Sequence, residues 1–299
     1  MAFSKTVIVI AGPTAVGKTA VAVAVAKRLG TEIISADSRQ CYKELDIGVA
    51  RPSGEELAQV SHHFIATHSI TEKVTAVVFE QYALKKAYEL FKKFDTVVLT
   101  GGTGLYIKAF CEGLDAIPEV PAEVHQEVID AYQQYGLAWL QQQVRQLDPL
   151  FYKHGEIQNP QRLMRALEVY KATGISIEEF KKGNKQSREF NIIKIALDLP
   201  KEMLHRNINT RVDAMIDKGL IAEVSSLISY KHLNALQTVG YKEIFAYLDG
   251  TSTKAEAIEL IKKNTRQYAK RQLTWFRKDL DYTWFPPDAA AVLRFLNVN

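Results

Sequence analysis

The residues best equipped for chemistry stand near the amino end, where Gly12-Pro13-Thr14-Ala15-Val16-Gly17-Lys18-Thr19 sets two glycines ahead of a lysine and a threonine in P-loop spacing. Glycine lets successive backbone N–H groups turn inward on a phosphate, and a helix opening at Lys18 adds its dipole. Lys18 supplies a cation, and Thr19 a hydroxyl for Mg²⁺ or a phosphate oxygen. That chemistry is the binding of a di- or triphosphate, and nothing narrower. A nucleoside triphosphatase also needs an acid at the end of an apolar strand to position its metal. Here Val97-Val98-Leu99-Thr100 runs instead into Gly101-Gly102-Thr103-Gly104. The acid that does follow a strand-like run is Asp37, within Ser35-Ala36-Asp37-Ser38-Arg39-Gln40. Carboxyl ends of parallel strands face the ligand, so Asp37 is expected beside the phosphates, although an aspartate there also suits an Asx turn.

A second concentration of chemistry lies between Lys262 and Lys278, which holds seven basic residues and no acid. On a helix Lys263, Arg266, Lys270 and Arg277 share one stripe, while Ile261, Tyr268 and Trp275 share another. One face is then expected to be buried and the other offered to phosphates. A merely solvated basic face has the same pattern. His62, His63 and His68 offer imidazoles, but adjacent histidines project differently and no further ligand spacing follows, so a structural role is expected.

The elements that must position these groups read as an α/β fold. Thr6 to Ala11 is a β-branched apolar run ending at Gly12-Pro13, as in a buried parallel strand. Ala20 to Ala26 alternates like a strand, but the glycine loop before it and Gly30 after Leu29 predict a small-residue helix. Strands are expected over Thr31 to Ala36, Thr96 to Thr100 and Ile192 to Leu199, with a helix from Val77 to Phe94. After Pro118 and Pro121 the chain turns Gln-rich and charged, with helices expected over Ala122 to Tyr135, Leu137 to Leu147 and Pro160 to Lys171. The reading is a P-loop parallel-sheet core with an inserted helical subdomain. Residues 1–117 and 189–299 form the core with its C-terminal helices, and residues 118–188 form the insertion.

Composition sets the outer bounds. With 299 residues, 47% hydrophobic and 24% charged, the chain has ordinary globular usage and room for more than one core. A net charge of +4 is compatible with a polyanionic partner without requiring one. Cys41 and Cys111 are far apart and outside any zinc spacing, which points to a reducing compartment. Apolar runs are too short to span a bilayer and no signal-peptide pattern opens the chain, so a cytoplasmic location away from membranes is expected.

The strings GPTAVGKT from Gly12, SADSRQ from Ser35, DIG from Asp46, HHF from His62, GGTGLY from Gly101, QRLMRALEVY from Gln161, VGYKE from Val239 and TRQYAKRQLTWFR from Thr265 occur in that order. Together, from Gly12 to Arg277, they resemble the tRNA dimethylallyltransferase (tRNA isopentenyltransferase) family of bacterial type. Val49 and Arg51 stand where that family usually has threonine and lysine, and His125 where it has arginine.

The resemblance implies a specific division of labour. Gly12, Pro13, Thr14, Ala15, Val16, Gly17, Lys18 and Thr19 would hold the diphosphate of dimethylallyl diphosphate rather than ATP, with Mg²⁺ bridging it at Thr19. Arg211 would be a further diphosphate clamp, and Thr103 would bond near the bridging oxygen of the leaving group. Asp37 would accept the proton from adenine N6, with Ser38, Arg39 and Gln40 beside it handling an extruded base. His125, Gln161, Arg162, Leu163, Met164, Arg165, Gly240, Tyr241, Lys242, Arg266, Lys270, Arg271 and Arg277 would contact the anticodon stem-loop of tRNA, the target being the adenosine immediately 3′ of the anticodon. The chain is expected to act as a monomer. A nucleoside kinase would explain the P-loop and Asp37 but not KRQLTWFR. A prenyl transferase for free adenine nucleotides would not need the long insertion. A non-catalytic RNA-binding module would not need both Asp37 and Thr103 at strand ends.

Overall fold

The computed structural model describes residues 5–183 and 185–298. Six strands, β1 (Thr6–Ala11), β2 (Ile33–Ser35), β3 (His62–His63), β4 (Thr96–Gly101), β5 (Asn191–Leu197) and β6 (Thr283–Phe285), form one sheet in the order β3-β2-β4-β1-β5-β6. Every pairing in it is parallel. β1 is central, with Ala11 level with Gly101 of β4 and Ala196 of β5. Its side chains are buried on both faces, which is why Thr6–Ala11 reads as an unbroken apolar run. Val7 and Val9 enter the core on one side of the sheet, and Ile8 and Ile10 the core on the other.

The fold is the expected α/β parallel sheet, and the differences lie at its edges. β2 and β5 are shorter than their apolar runs, and β3 and β6 have two and three residues respectively. Segments that short carry no alternation to read. The helix Lys18–Leu29 follows the loop signals rather than its alternating sequence. Gly17 and Gly30 both take left-handed geometry at its ends, and the Gly30 amide donates to the Ala26 and Lys27 carbonyls.

The chain divides into two compact units, one running up to Glu112 and resuming at Ser187, the other Gly113–Gln186. Among its described residues the second unit has helices and no strand, the helices being Ala122–Leu147, Pro149–His154, Pro160–Thr173 and Ile177–Phe180. Gly136, at φ 75 and ψ −168, breaks the first of these at the place where the sequence separates two helices. Its core is its own: Val128, Leu140, Val144, Phe151, Leu163, Ala166, Leu167, Val169 and Ile177. Buried Asp148 ties it together, accepting from the Phe151 amide at 2.9 Å and the Ser176 hydroxyl at 3.0 Å.

Candidate active site

The carboxyl ends of β1, β2 and β4 carry the P-loop, Asp37 and the Gly101–Gly104 turn, the place where open parallel sheets bind ligands. The loop after β1 is backbone-limited. Gly12 has φ 147, and a Cβ there would sit 2.8 Å from the Leu197 carbonyl of β5. Gly17 has φ 99, and Ala15, a residue with a Cβ, is held at φ 63. The helix Lys201–Asp217 braces this loop. Its Asn207 Nδ2 donates to the Ala15 carbonyl at 3.2 Å, and its Arg211 Nη1 donates to Thr14 Oγ1 at 3.3 Å. Lys18 Nζ folds back to donate to the Pro13 carbonyl at 2.7 Å.

The electrostatics are those of a site built for an anion. Burial, then repulsion from Arg211, pushes the Lys18 ammonium down to about 7, with Asp37 pulling the other way. Burial likewise lowers Arg211, opposed by Asp37 and Glu56. Two cations crowded beside this glycine-bearing loop suit a multiply charged phosphate.

Asp37 divides its carboxylate. Oδ1 accepts from the amides of Arg39 at 2.9 Å and Gln40 at 3.2 Å, so the Asx-turn reading is true of that oxygen. Among the described residues no hydrogen bond is made to Oδ2, which leaves it for a substrate. Thr103 is the hinge between two loops. Its Oγ1 accepts from the Ser38 amide at 3.0 Å and donates to Ser38 Oγ at 3.3 Å, while its amide donates to the Ala36 carbonyl at 3.2 Å. A Cβ on Gly101 would overlap the Ala36 carbonyl, so the turn after β4 can lie against the turn after β2 only with glycine there. Tyr268 from the helix Lys254–Phe276 joins this group: the residue as a whole is more than a third exposed, but desolvation around its hydroxyl, then Asp37, pushes that group up to about 12, with Arg39, Arg271 and Thr103 opposing.

The flanking residues are fixed through long-range bonds. Gln40 Nε2 donates to the Val49 and Ala50 carbonyls at 3.2 and 3.0 Å, and Arg39 Nη1 to the Asn234 carbonyl at 3.0 Å. The loop that Gln40 reaches is held by Glu223, whose Oε2 accepts from the amides of Asp46 and Ile47 and whose Oε1 accepts from the Gly48 amide and, at 2.6 Å, the Tyr241 hydroxyl. A Cβ on Gly48 would come 2.5 Å from the Tyr241 ring. Tyr241 is therefore wholly buried, not a surface contact. Gly240 is buried too, its amide on Glu243 Oε2 at 2.8 Å, and Lys242 is exposed.

The basic helix also departs from its sequence reading. Its buried face is Ala257, Ile261, Ala269, Gln272 and Phe276, whereas Tyr268 and Trp275 are more than a third exposed. Trp275 packs on Gly104, where a Cβ would overlap its indole, so this end of the stripe lies against the Thr103 turn while Ile261 stays in the core. Arg271 lies over the Tyr268 ring at 5.8 Å. Lys263 and Lys270 are exposed, Arg266 Nη1 donates to Asn209 Oδ1 at 2.6 Å, and Arg277 pairs with Asp198 at 2.8 Å.

In the helical unit, Gln161 and Arg162 are exposed and Met164 is partly buried. Leu163 is fully buried in that unit's core, so its side chain packs the helix rather than facing a ligand. His125 Nδ1 meets Glu168 Oε1 at 2.8 Å, and Arg165 lies 3.6 Å from Glu168 Oε2.

Two metal questions have structural answers. His63 Nε2 bonds Glu32 at 2.6 Å and His62 Nδ1 the Val60 carbonyl at 2.8 Å, each in a separate local role. Glu112, Asp279 and Asp281 converge, but Lys194 Nζ stands among them at 3.1, 2.8 and 3.5 Å.

Sequence reading missed Gln272, Glu223 and Asn207, whose partners lie far along the chain; only the isolated amide on a helix otherwise buried through apolar residues gave a signal for Gln272.

An IPP transferase family model matches residues 40–279. The chain belongs to the IPP transferase family. That match begins after Lys18 and Asp37, and full-length relatives extend it across them. The chain is 46% identical to the tRNA dimethylallyltransferase of Cytophaga hutchinsonii, over 95% of this chain and 93% of that one. It is 48% identical to that of Christiangramia forsetii, over 93% and 92%. The crystal structure of a tRNA isopentenylpyrophosphate transferase from Bacillus halodurans superposes with a TM-score of 0.72 at 35% identity, covering 98% of this chain and 96% of the other. A eukaryotic dimethylallyltransferase described as acting on tRNA gives a TM-score of 0.74 at 25% identity, covering 97% and 75%. Among the described residues no helix is long and apolar enough to cross a membrane.

Proposed function

We propose that this member of the IPP transferase family transfers the dimethylallyl group of dimethylallyl diphosphate to N6 of the adenosine 3′ of the tRNA anticodon, releasing diphosphate. The observation that carries the reading is the pairing of a P-loop that lacks a strand-end acid after β4 with an aspartate whose second oxygen is open beside it. An allylic carbon leaves readily because its positive charge delocalises, so catalysis consists of stabilising the departing anion and holding the nucleophile in line. Lys18 and Arg211 neutralise the diphosphate, the loop amides bond its oxygens, and Thr103 aligns the bridging oxygen. The exocyclic amine becomes acidic only as the C–N bond forms, and Asp37 Oδ2 then takes its proton.

The hydroxyl of Thr19 at the first turn of the P-loop helix and the oxygens of a bound diphosphate are the hard donors that Mg²⁺ takes, usually with several waters. When bound, the ion adds charge stabilisation to the leaving diphosphate. Ser38, Arg39 and Gln40 receive the extruded adenine, while Lys242, Lys270, Arg271 and the exposed Gln161 and Arg162 meet the phosphates of the anticodon stem-loop. The enzyme acts as a monomer in the cytoplasm. Mass analysis of nucleosides from unmodified tRNA incubated with enzyme, Mg²⁺ and dimethylallyl diphosphate tests this directly. Prenylated adenosine is expected, and its absence together with ATP turnover would turn the reading to a kinase.

A further inference from the structure

Gln272 sits on the same helix as the basic stripe but on its buried face, beside Ala269 and Phe276, and is 7% exposed. A buried primary amide is tolerated when both its ends are bonded. Oε1 accepts from the Thr14 amide at 2.9 Å, and Nε2 donates to the Gly102 carbonyl at 2.8 Å. A backbone amide only donates and a carbonyl only accepts, so these partners also fix which end of the side chain is which. A Cβ on Gly102 would overlap Nε2, so the turn after β4 leaves room for this amide only as glycine.

We propose that Gln272 is a positioning residue for the diphosphate cradle. It clamps the P-loop backbone after β1 to the turn after β4, and so sets the spacing between Lys18 on one loop and Thr103 on the other. It also assigns the Thr14 amide to the protein rather than to the donor, leaving the later amides of the loop to the phosphates. The helix that carries Lys270 and Arg271 is thereby bonded straight into the donor site. The inference rests on the reading of the P-loop as a diphosphate site.

The test compares the parent with Gln272→Met and Gln272→Glu, in prenyl transfer and in calorimetric binding of inorganic diphosphate with Mg²⁺, corrected for folded fraction by thermal melting. Gln272→Met keeps the volume and removes both bonds. Its kcat is expected to fall about 10- to 100-fold, the scale on which small misplacements act, with KM for tRNA within about threefold. Gln272→Glu keeps the acceptor for Thr14 but opposes Gly102 with a second oxygen, whereas its protonated form carries both functions. The ratio of its kcat to the parent's is therefore expected to rise several-fold as pH falls from about 8 to about 5.5. A ratio flat with pH, or a folded Gln272→Met with kcat and diphosphate affinity within about threefold of the parent, overturns the proposal. If the parent binds diphosphate but transfers no prenyl group, the functional reading fails, and the clamp is then judged on diphosphate affinity alone, by the same threefold limit.

Discussion

In Asp37 the turn uses one carboxylate oxygen and the proposed proton transfer the other, so substitutions can separate them. Asp37→Asn keeps an acceptor for the Arg39 and Gln40 amides but loses the basic carboxylate. Its melting temperature is expected to stay near the parent's while the single-turnover rate falls about 10² to 10⁴, the scale of a positioned general base. Asp37→Ala should show the same loss of rate plus about 1 kcal/mol of lost stability from the vacated turn. A folded Asp37→Asn with a near-normal rate would mean that water, not Asp37, takes the proton. Lys18 gives a second residue-scale consequence. Its ammonium is held down to about 7 from an ordinary 10.5, so between those values the unfolded chain binds more protons than the folded one. Stability owed to Lys18 is therefore lowest below pH 7 and recovers as pH rises toward 10.5. A diphosphate placed on Lys18 raises its affinity for the proton again, so binding above pH 7 takes a proton up. Calorimetry of inorganic diphosphate at about pH 8, in buffers of different ionisation enthalpy, should show uptake in the parent that Lys18→Gln lacks. Equal uptake in both would remove Lys18 from the diphosphate site.

Among the elements, what was legible followed from local chemistry. The P-loop, its strand and helix, and Asp37 at a strand end all declare themselves within a few residues, because glycine geometry and helix caps act over that range. The clamps of the site were not legible, since Thr14 and Gln272 are 258 residues apart and Gly48 and Glu223 are 175 apart. Tyr241, which the family resemblance offers as a tRNA contact, is wholly buried with its hydroxyl on Glu223, a partner 18 residues away that no local pattern announces. That carboxylate accepts from three amides and one hydroxyl, and it anchors the loop whose Val49 and Ala50 carbonyls hold Gln40. Tyr241→Phe removes one of the four bonds and should lower stability by about 1 kcal/mol. Glu223→Ala strips the acceptor from all three amides, and hydrogen exchange at Ile47 and Gly48 should quicken about tenfold or more as the loop opens more often. Unchanged exchange at those two amides would show the loop to be held by other contacts.

At the scale of the whole molecule, the donor site and the helical unit are separable in covalent terms. Every residue assigned to the diphosphate and to proton transfer, from Gly12 to Asp37, Thr103 and Arg211, belongs to the unit that runs up to Glu112 and resumes at Ser187. The Gly113–Gln186 unit has its own apolar core and its own buried polar tie at Asp148. Its two ends also meet, for a Cβ on Gly113 would come 2.6 Å from Gln186 Cδ, so the chain leaves the core and returns to it at nearly one point. A short loop closes such a gap at little entropic cost. Replacing Gly113–Gln186 with a few glycines and serines is therefore expected to leave a folded core that binds inorganic diphosphate within several-fold of the parent. The exposed Gln161 and Arg162 go with the deleted unit, so tRNA affinity should fall about tenfold or more and its dependence on salt should flatten as phosphate contacts are lost. Diphosphate calorimetry and tRNA titration at several salt concentrations, run on the same protein, read the two effects apart. A core that loses both affinities together would show that the helical unit supports the donor site itself, and one that keeps full tRNA affinity would place the whole recognition of RNA on the basic helix.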